Sequence, residues 1–416
     1  MTSSILVIKN AAQLVTSSSD GRPRRGKDMS ELTLLADAAL VIKDGTISWV
    51  GPTAQLPAIP DSAQVIDATA KTVLPGLVDS HTHLVWAGSR EAEFEQRLQG
   101  RTYQEIAAAG GGINATVTSV RQASKEQLKA AMRPRLERLL RFGVTTVEVK
   151  SGYGLKLTDE VKCLEAIAEL DAEGPLELVP TFLGAHAVPP EFRHDQAGYV
   201  DLLVRQMLPV IARQKLAEFC DVFCEAGVFS LAEAERILKT ARDLGFRLKV
   251  HADELTPLGG AQLAARLGAA SADHLLCISE AGIDALAGYE TVATLLPGTA
   301  FFLGMAYAPA RRMIERGVAV ALASDCNPGT CPSENLPLAG TMACTQMKMM
   351  PAEVLTALTV NAAAALDRAD RTGSLEVGKQ ADVIVWDVPN FCQLFYHFGV
   401  SHVWRVIKRG RVVFAA

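Results

Sequence analysis

Eight short apolar runs, separated by stretches of helical character, fill the middle of the chain and restrict its fold more than any other feature. The runs lie at 73–78, 144–149, 177–184, 219–224, 247–251, 271–275, 291–296 and 318–324. Helical patterns fall between them, as at Lys125 to Arg141, Asp159 to Asp171, Leu231 to Leu244, Pro257 to Leu267 and Pro309 to Arg316. Regular alternation of this kind predicts βα units around a parallel sheet. Eight such units fit a closed barrel. An open, doubly wound sheet is the rival, but no GxGxxG turn follows the first run to support it.

The two ends of the chain read differently. Residues 1–72 hold short β-type runs, Ser4 to Lys9, Ala39 to Ile42 and Thr46 to Val50, with a Lys43-Asp44-Gly45 turn. Residues 376–416 repeat the style, with Val383 to Trp386 and two runs around Lys408-Arg409-Gly410. The expectation is one small sheet domain assembled from both ends and attached to a barrel over 73–375, since chain ends often lie close together. The basic stretch Arg22 to Lys27 is expected to be a solvated loop.

Composition removes several function classes. A net charge of -5 gives no electrostatic reason to expect nucleic acid or an anionic membrane as partner. No basic segment followed by an apolar core stands at the N-terminus, and no uncharged apolar run nears the roughly 20 residues of a membrane helix. The eight cysteines form no CxxC pair and read as reduced thiols of a cytoplasmic protein. Cys326 stands out among them because it abuts Asp325.

The chemistry is signalled first by GLVDSHTHL, residues 76–84. Alternate side chains of a strand share a face, so His81 and His83 project together. Neutral imidazole is a ligand for zinc and iron. Two surface histidines would look the same in isolation, but polar residues recur where the other runs end. They are Glu148, Lys150 and Tyr153, then His186, Glu225, the set His251, Asp253 and Glu254, the pair Asp273 and His274, and Asp325. Five of the eight histidines fall at such ends, whereas His194, His397 and His402 do not. In a (β/α)8 barrel that face carries catalytic residues. His81, His83, His251 and Asp325 supply three nitrogens and a carboxylate, enough for a zinc or iron site with a position left for water. Glu254, three residues beyond His251, suits proton transfer, although a carboxylate at a helix start would also be stabilised by the dipole. Arg90 offers a planar fork for a carboxylate, or an ordinary ion pair with Glu91 or Glu93.

The segments PGLVDSHTHL, KVHADE, ADHL, LASDCNPG and GSLEVGKQADVIVWD resemble the amidohydrolase superfamily. WAGSREAEFEQR, TTVEVKSGYGL and FLGAHAVPPE narrow the resemblance to the branch that acts in histidine degradation. It covers nearly the whole chain. It implies a distorted (β/α)8 barrel with a small β-sandwich built from both ends, a homodimer, and one zinc or iron ion per chain. The implied reaction opens the ring amide of 4-imidazolone-5-propanoate to N-formimidoyl-L-glutamate. Carried over, His81, His83, His251 and Asp325 match metal ligands. Arg90, Tyr103, Tyr153, His186, Asn327, Gly329 and Thr330 match substrate contacts. Glu254 matches a contact and the proton shuttle, and His274 matches the residue that polarises the attacked group; Asp325 is a further candidate for moving a proton. A second metal on Glu225 is a minority alternative. The rival activities are deamination of a purine or pyrimidine on the same metal site, and a non-catalytic relative that keeps the fold for assembly.

Overall fold

The computed structural model describes residues 4–101, 105–106 and 110–416. At its centre is a parallel sheet of eight strands in chain order. These barrel strands, first to eighth, are Leu77–Asp79, Val144–Lys150, Glu177–Ala185, Phe219–Cys224, Arg247–Ala252, Ser271–His274, Val292–Leu295 and Val320–Leu322. Each expected run overlaps one of them. The sheet curls round until its edges meet just beyond the first and eighth strands. There Asp325 N donates to His81 O at 3.0 Å, and His83 N donates to Cys326 O at 3.0 Å. Ser324 adds two donors to the buried Asp79 carboxylate, N at 3.0 Å and Oγ at 2.6 Å. The closing seam therefore runs through three candidate metal ligands.

Helices cover the outside for reasons written in their sequences. Leu231–Asp243 begins with a reciprocal cap between Ser230 and Glu233, and buries Ala234, Ile237, Leu238 and Ala241. That spacing of three and four is one face of an α-helix. Lys125–Arg141 has the same cap from Ser124 and Gln127, worth about 1 kcal/mol. It buries Leu128, Met132 and Leu139, each contributing roughly 1.5–3 kcal/mol on leaving water.

The two ends of the chain form a sandwich of two sheets. One has four strands, in the spatial order Thr46–Pro52, Ala38–Lys43, Ile5–Ala11, Gln64–Asp67. The other has six, in the order Arg411–Ala415, Val403–Lys408, Val383–Trp386, Thr72–Pro75, Gln13–Thr16, Thr33–Leu35. Alternation along Val383–Trp386 joins the two cores. Val383 and Val385 pack into the sandwich with Leu6, Ile8 and Leu40, while Ile384 and Trp386 pack into the barrel core.

Two expectations are corrected. The run 73–78 is two strands: Thr72–Pro75 lies in the six-stranded sheet, and Leu77–Asp79 opens the barrel. Gly76 makes the change of sheet possible, because a Cβ there would stand 2.1 Å from Thr145 Oγ1. Nor is Arg22 to Lys27 a solvated loop throughout. Arg25 reaches the carbonyls of Gly317, Leu286, Ala287 and Tyr289, and Arg24 is bound through its backbone to Asn361. The guanidinium of Arg25 thus ties this stretch to the C-terminal ends of the helices that precede the seventh and eighth strands. No helix among the described residues is long and apolar enough to cross a membrane.

Candidate active site

The ends of the first, fifth and eighth strands bring four buried donors to one point. His81 Nε2 and His83 Nε2 each lie 3.5 Å from Asp325 Oδ1, and His251 Nε2 lies 3.4 Å from His83 Nε2. Ligand atoms about 2.1 Å from a tetrahedral ion would be about 3.4 Å apart. His81 Nε2 and Asp325 Oδ1 have no hydrogen-bond partner although both are buried, which is costly for polar atoms unless something else satisfies them.

The other edges of the rings explain why these nitrogens face inward. His81 Nδ1 is 2.6 Å from Asp273 Oδ2, and His251 Nδ1 is 2.9 Å from Asp221 Oδ2. A carboxylate behind Nδ1 keeps the proton there and turns the Nε2 lone pair toward the cluster. Burial drives the imidazoles of His81 and His83 well below their usual range, with Lys150 and neighbouring histidines adding to the effect. They stand neutral, as metal ligands must. Asp325 is held by Thr299 Oγ1, and its backbone takes a left-handed φ of 54°. His274 shares that feature, with a φ of 78°. Such values are uncommon for non-glycine residues. The donor set fits a metal ion.

Glu254 and His274 stand beside the cluster, with His274 Nδ1 3.5 Å from Glu254 Oε1. Burial, with the Asp325 and Glu225 carboxylates near it, pushes Glu254 up to about 8. A cation would oppose that shift and favour the carboxylate. His274 also comes within reach of His81 and His251 as a possible ligand group. His186 lies flat against His83, ring centroids 5.0 Å apart, and its Nδ1 is 2.9 Å from Gly152 O. Burial brings His186 down to about 3. Tyr153 is buried 5.2 Å from the His186 ring.

The other expected contacts are engaged by the protein itself. Arg90 pairs with Glu93 through Nε and Nη2, at 3.0 and 2.7 Å. Its Nη1 side packs so closely on Gly329 that a Cβ there would lie 2.2 Å from it. Asn327 closes its own loop: Oδ1 accepts from Gly329 N and Thr330 N, and Nδ2 donates to Asp325 O and Thr330 Oγ1. Glu225 staples the loop after the fifth strand, accepting from Leu255 N and Thr256 Oγ1. Cys326 is fully buried, and burial pushes its thiol far up, so it is unreactive. Tyr103 lies outside the described residues.

The sequence pattern does not single out Asp221, Lys249 or Thr299, and it assigns no function to Glu148, Lys150 or Asp273. The available signal was charge inside buried strands: Asp221 in FCDVFC and Lys249 in RLKVHA interrupt apolar runs at positions that face the barrel interior.

A (β/α)8 barrel whose strand ends gather buried histidines and a carboxylate is the framework of a metal-dependent hydrolase. Comparison with known proteins agrees. A family model described as "Amidohydrolase family" matches residues 104–414. Curated relatives named imidazolonepropionase include one from Alkaliphilus oremlandii (strain OhILAs), 48% identical over 98% of this chain and 97% of its own length. Another, from Symbiobacterium thermophilum, is 52% identical over 98% of this chain and 97% of its own. Among solved structures, atrazine chlorohydrolase TrzN from Arthrobacter aurescens TC1, complexed with zinc, has a TM-score of 0.71 at 18% identity, covering 99% of this chain and 95% of that one. Guanine deaminase from E. coli has a TM-score of 0.72 at 17% identity over the whole of both chains. The chain belongs to the amidohydrolase family and, within it, to the imidazolonepropionases.

Proposed function

We infer that this chain hydrolyses the ring amide of 4-imidazolone-5-propanoate, releasing N-formimidoyl-L-glutamate in histidine degradation. The observation that carries this is the identity of 48–52% to imidazolonepropionases across 98% of the chain. The donor cluster supplies the chemistry. We propose one ion per chain, zinc or iron, held by His81, His83, His251 and Asp325; both metals accept nitrogen and carboxylate ligands. When bound, such an ion supplies Lewis acidity and lowers the pKa of water.

The remaining steps belong to the protein. Glu254 takes a proton from the attacking water and returns it to the leaving ring nitrogen, a transfer worth roughly 10²–10⁴-fold. Its distance from His274 lets the two act on one carbonyl carbon, His274 supporting the charge that develops on oxygen. Arg90 takes the propanoate, with its guanidinium plane set by Glu93 and Gly329. His186 and Tyr153 form the adjoining wall against which the ring lies. Asn327 and Thr330 shape the loop that carries Gly329. The free thiols suit the reducing cytoplasm.

Turnover of 4-imidazolone-5-propanoate, followed by loss of its ultraviolet absorbance and by mass of the product, tests the reading. Purines and pyrimidines with an exocyclic amine form the comparison panel. Turnover confined to that panel would replace the proposal with a deaminase. No turnover of any substrate by fully metallated protein would favour a non-catalytic relative.

A further inference from the structure

Behind the donor cluster lie two lysines with no solvent exposure, each against a carboxylate that backs a ligand histidine. Lys249 Nζ is 2.6 Å from Ser271 Oγ and 3.5 Å from Asp273 Oδ2. Lys150 is engaged more fully. Its Nζ is 2.8 Å from Asp221 Oδ2 and 2.6 Å from Glu148 Oε1. Asp221 grips His251 twice, through its ring and through its backbone, where N donates to Oδ1 at 3.2 Å. Glu148 in turn accepts from Thr82 N at 3.0 Å, and its own carbonyl accepts from Thr82 Oγ1. Thr82 is the residue between His81 and His83. One unbroken polar chain therefore runs from His251 on the fifth strand, through Asp221 on the fourth and Lys150 and Glu148 on the second, to the His81–His83 pair beyond the first.

We propose that Lys150 is a positioning residue for the metal: it sets the spacing between the His251 nitrogen and those of His81 and His83. This rests on the metal reading given above. A buried ammonium is expensive to desolvate, and an apolar side chain of similar volume would fill the same space at no such cost. What the apolar chain could not do is hold two carboxylates toward each other across a strand. Without Lys150, Asp221 and Glu148 repel, Asp221 leaves the ring of His251, and Glu148 leaves the backbone between the paired ligands. The three nitrogens then no longer converge at one distance from a common point.

The test uses Co²⁺ as probe in full-length protein stripped with a chelator and reloaded. The readouts are the visible spectrum of bound Co²⁺, which reports ligand geometry, and its Kd by chelator competition, with folding followed by circular dichroism. Lys150→Met should weaken Co²⁺ binding about 10- to 100-fold, as other losses behind a metal ligand do, and shift the visible bands. Combined with Asp221→Asn it should weaken binding no further than the worse single variant, because both break one chain. If Lys150→Met does not fold, Lys150→Met with Glu148→Gln removes one charge of each sign and carries the same expectation. Folded protein of either kind with the wild-type spectrum and Kd would overturn the proposal, since a merely structural lysine would change thermal stability alone. Wild-type protein that takes up no Co²⁺ would instead overturn the metal reading, and this proposal with it.

Discussion

Gly329→Ala offers a test of substrate anchoring that leaves every charge in place. The alanine Cβ would stand 2.2 Å from Arg90 Nη1 and 2.8 Å from its Cζ, while ordinary contact begins near 3.4 Å. The guanidinium must therefore retreat by more than 1 Å, and it is free to do so because it is the far end of a flexible side chain. The backbone of Gly329 shows no left-handed φ, so alanine introduces no strain. Retreat leaves the net charge and the Glu93 pair largely intact but spoils the fork geometry toward a carboxylate. A hydrogen bond to a charged group is worth about 1.5–3 kcal/mol, so KM for 4-imidazolone-5-propanoate should rise about 10- to 150-fold. Because the reacting ring amide is not touched, kcat should change less. An imidazolone lacking the propanoate should bind both proteins with equal weakness. Steady-state kinetics at fixed metal occupancy provide the assay. An unchanged KM would show that Arg90 does not hold the propanoate, and equal damage to both ligands would show that Gly329 shapes the ring pocket itself.

Three further outcomes are expected. Purified protein should contain about one metal ion per chain, and His251→Ala should lose metal and activity together; full activity in rigorously metal-free protein would refute the cluster's role. Glu254→Gln should keep its metal while kcat falls by roughly 10²-fold or more, and a near-normal kcat would assign the proton to another group, such as His274 or Asp325. Metal-free protein should be most stable near pH 6.5 by thermal melting. Buried His81, His83 and His274 are held neutral, so stability falls as the unfolded chain gains their protons below about pH 6.5. Glu254 and Asp79, raised by burial to about 8 and about 7, are held protonated, so stability also falls as pH rises toward 8. A melting temperature that climbs steadily from pH 6.5 to 8 would contradict that balance.

The barrel was legible because each of its strands is a short apolar run with a helix pattern after it, a signal that needs no tertiary information. The donor histidines were legible for a related reason, since strand ends are where a barrel exposes function. What escaped depended on partners far away in sequence. Pro75-Gly76 is a local breaker signal, but that it marks a change of sheet appears only once Thr145 is seen pressed against Gly76. Arg25 looks like a surface residue until the carbonyls of Leu286 and Gly317 arrive beside it. Asn327, read as a ligand contact, spends both ends of its amide on its own turn. Lys249 and Asp221 break apolar patterns, which locates them in the barrel interior without revealing which histidine each supports.

The joint at Gly76 also bears on the order in which the chain can be completed. The ligand pair His81–His83 begins only a few residues after Thr72–Pro75, whose neighbours in the sheet are Gln13–Thr16 on one side and Val383–Trp386 on the other. Thr72 Oγ1 bonds a carbonyl 316 residues further along. During synthesis the first half of the metal site is thus made early, yet its supporting strand is paired on one side only until Val383–Trp386 has left the ribosome. Closing so long a loop is slow, and an unpaired strand edge is exposed to association meanwhile. Metal held by the nascent chain before that moment would rest on an unfinished frame, so the last strands to emerge decide when the first ligands become a site.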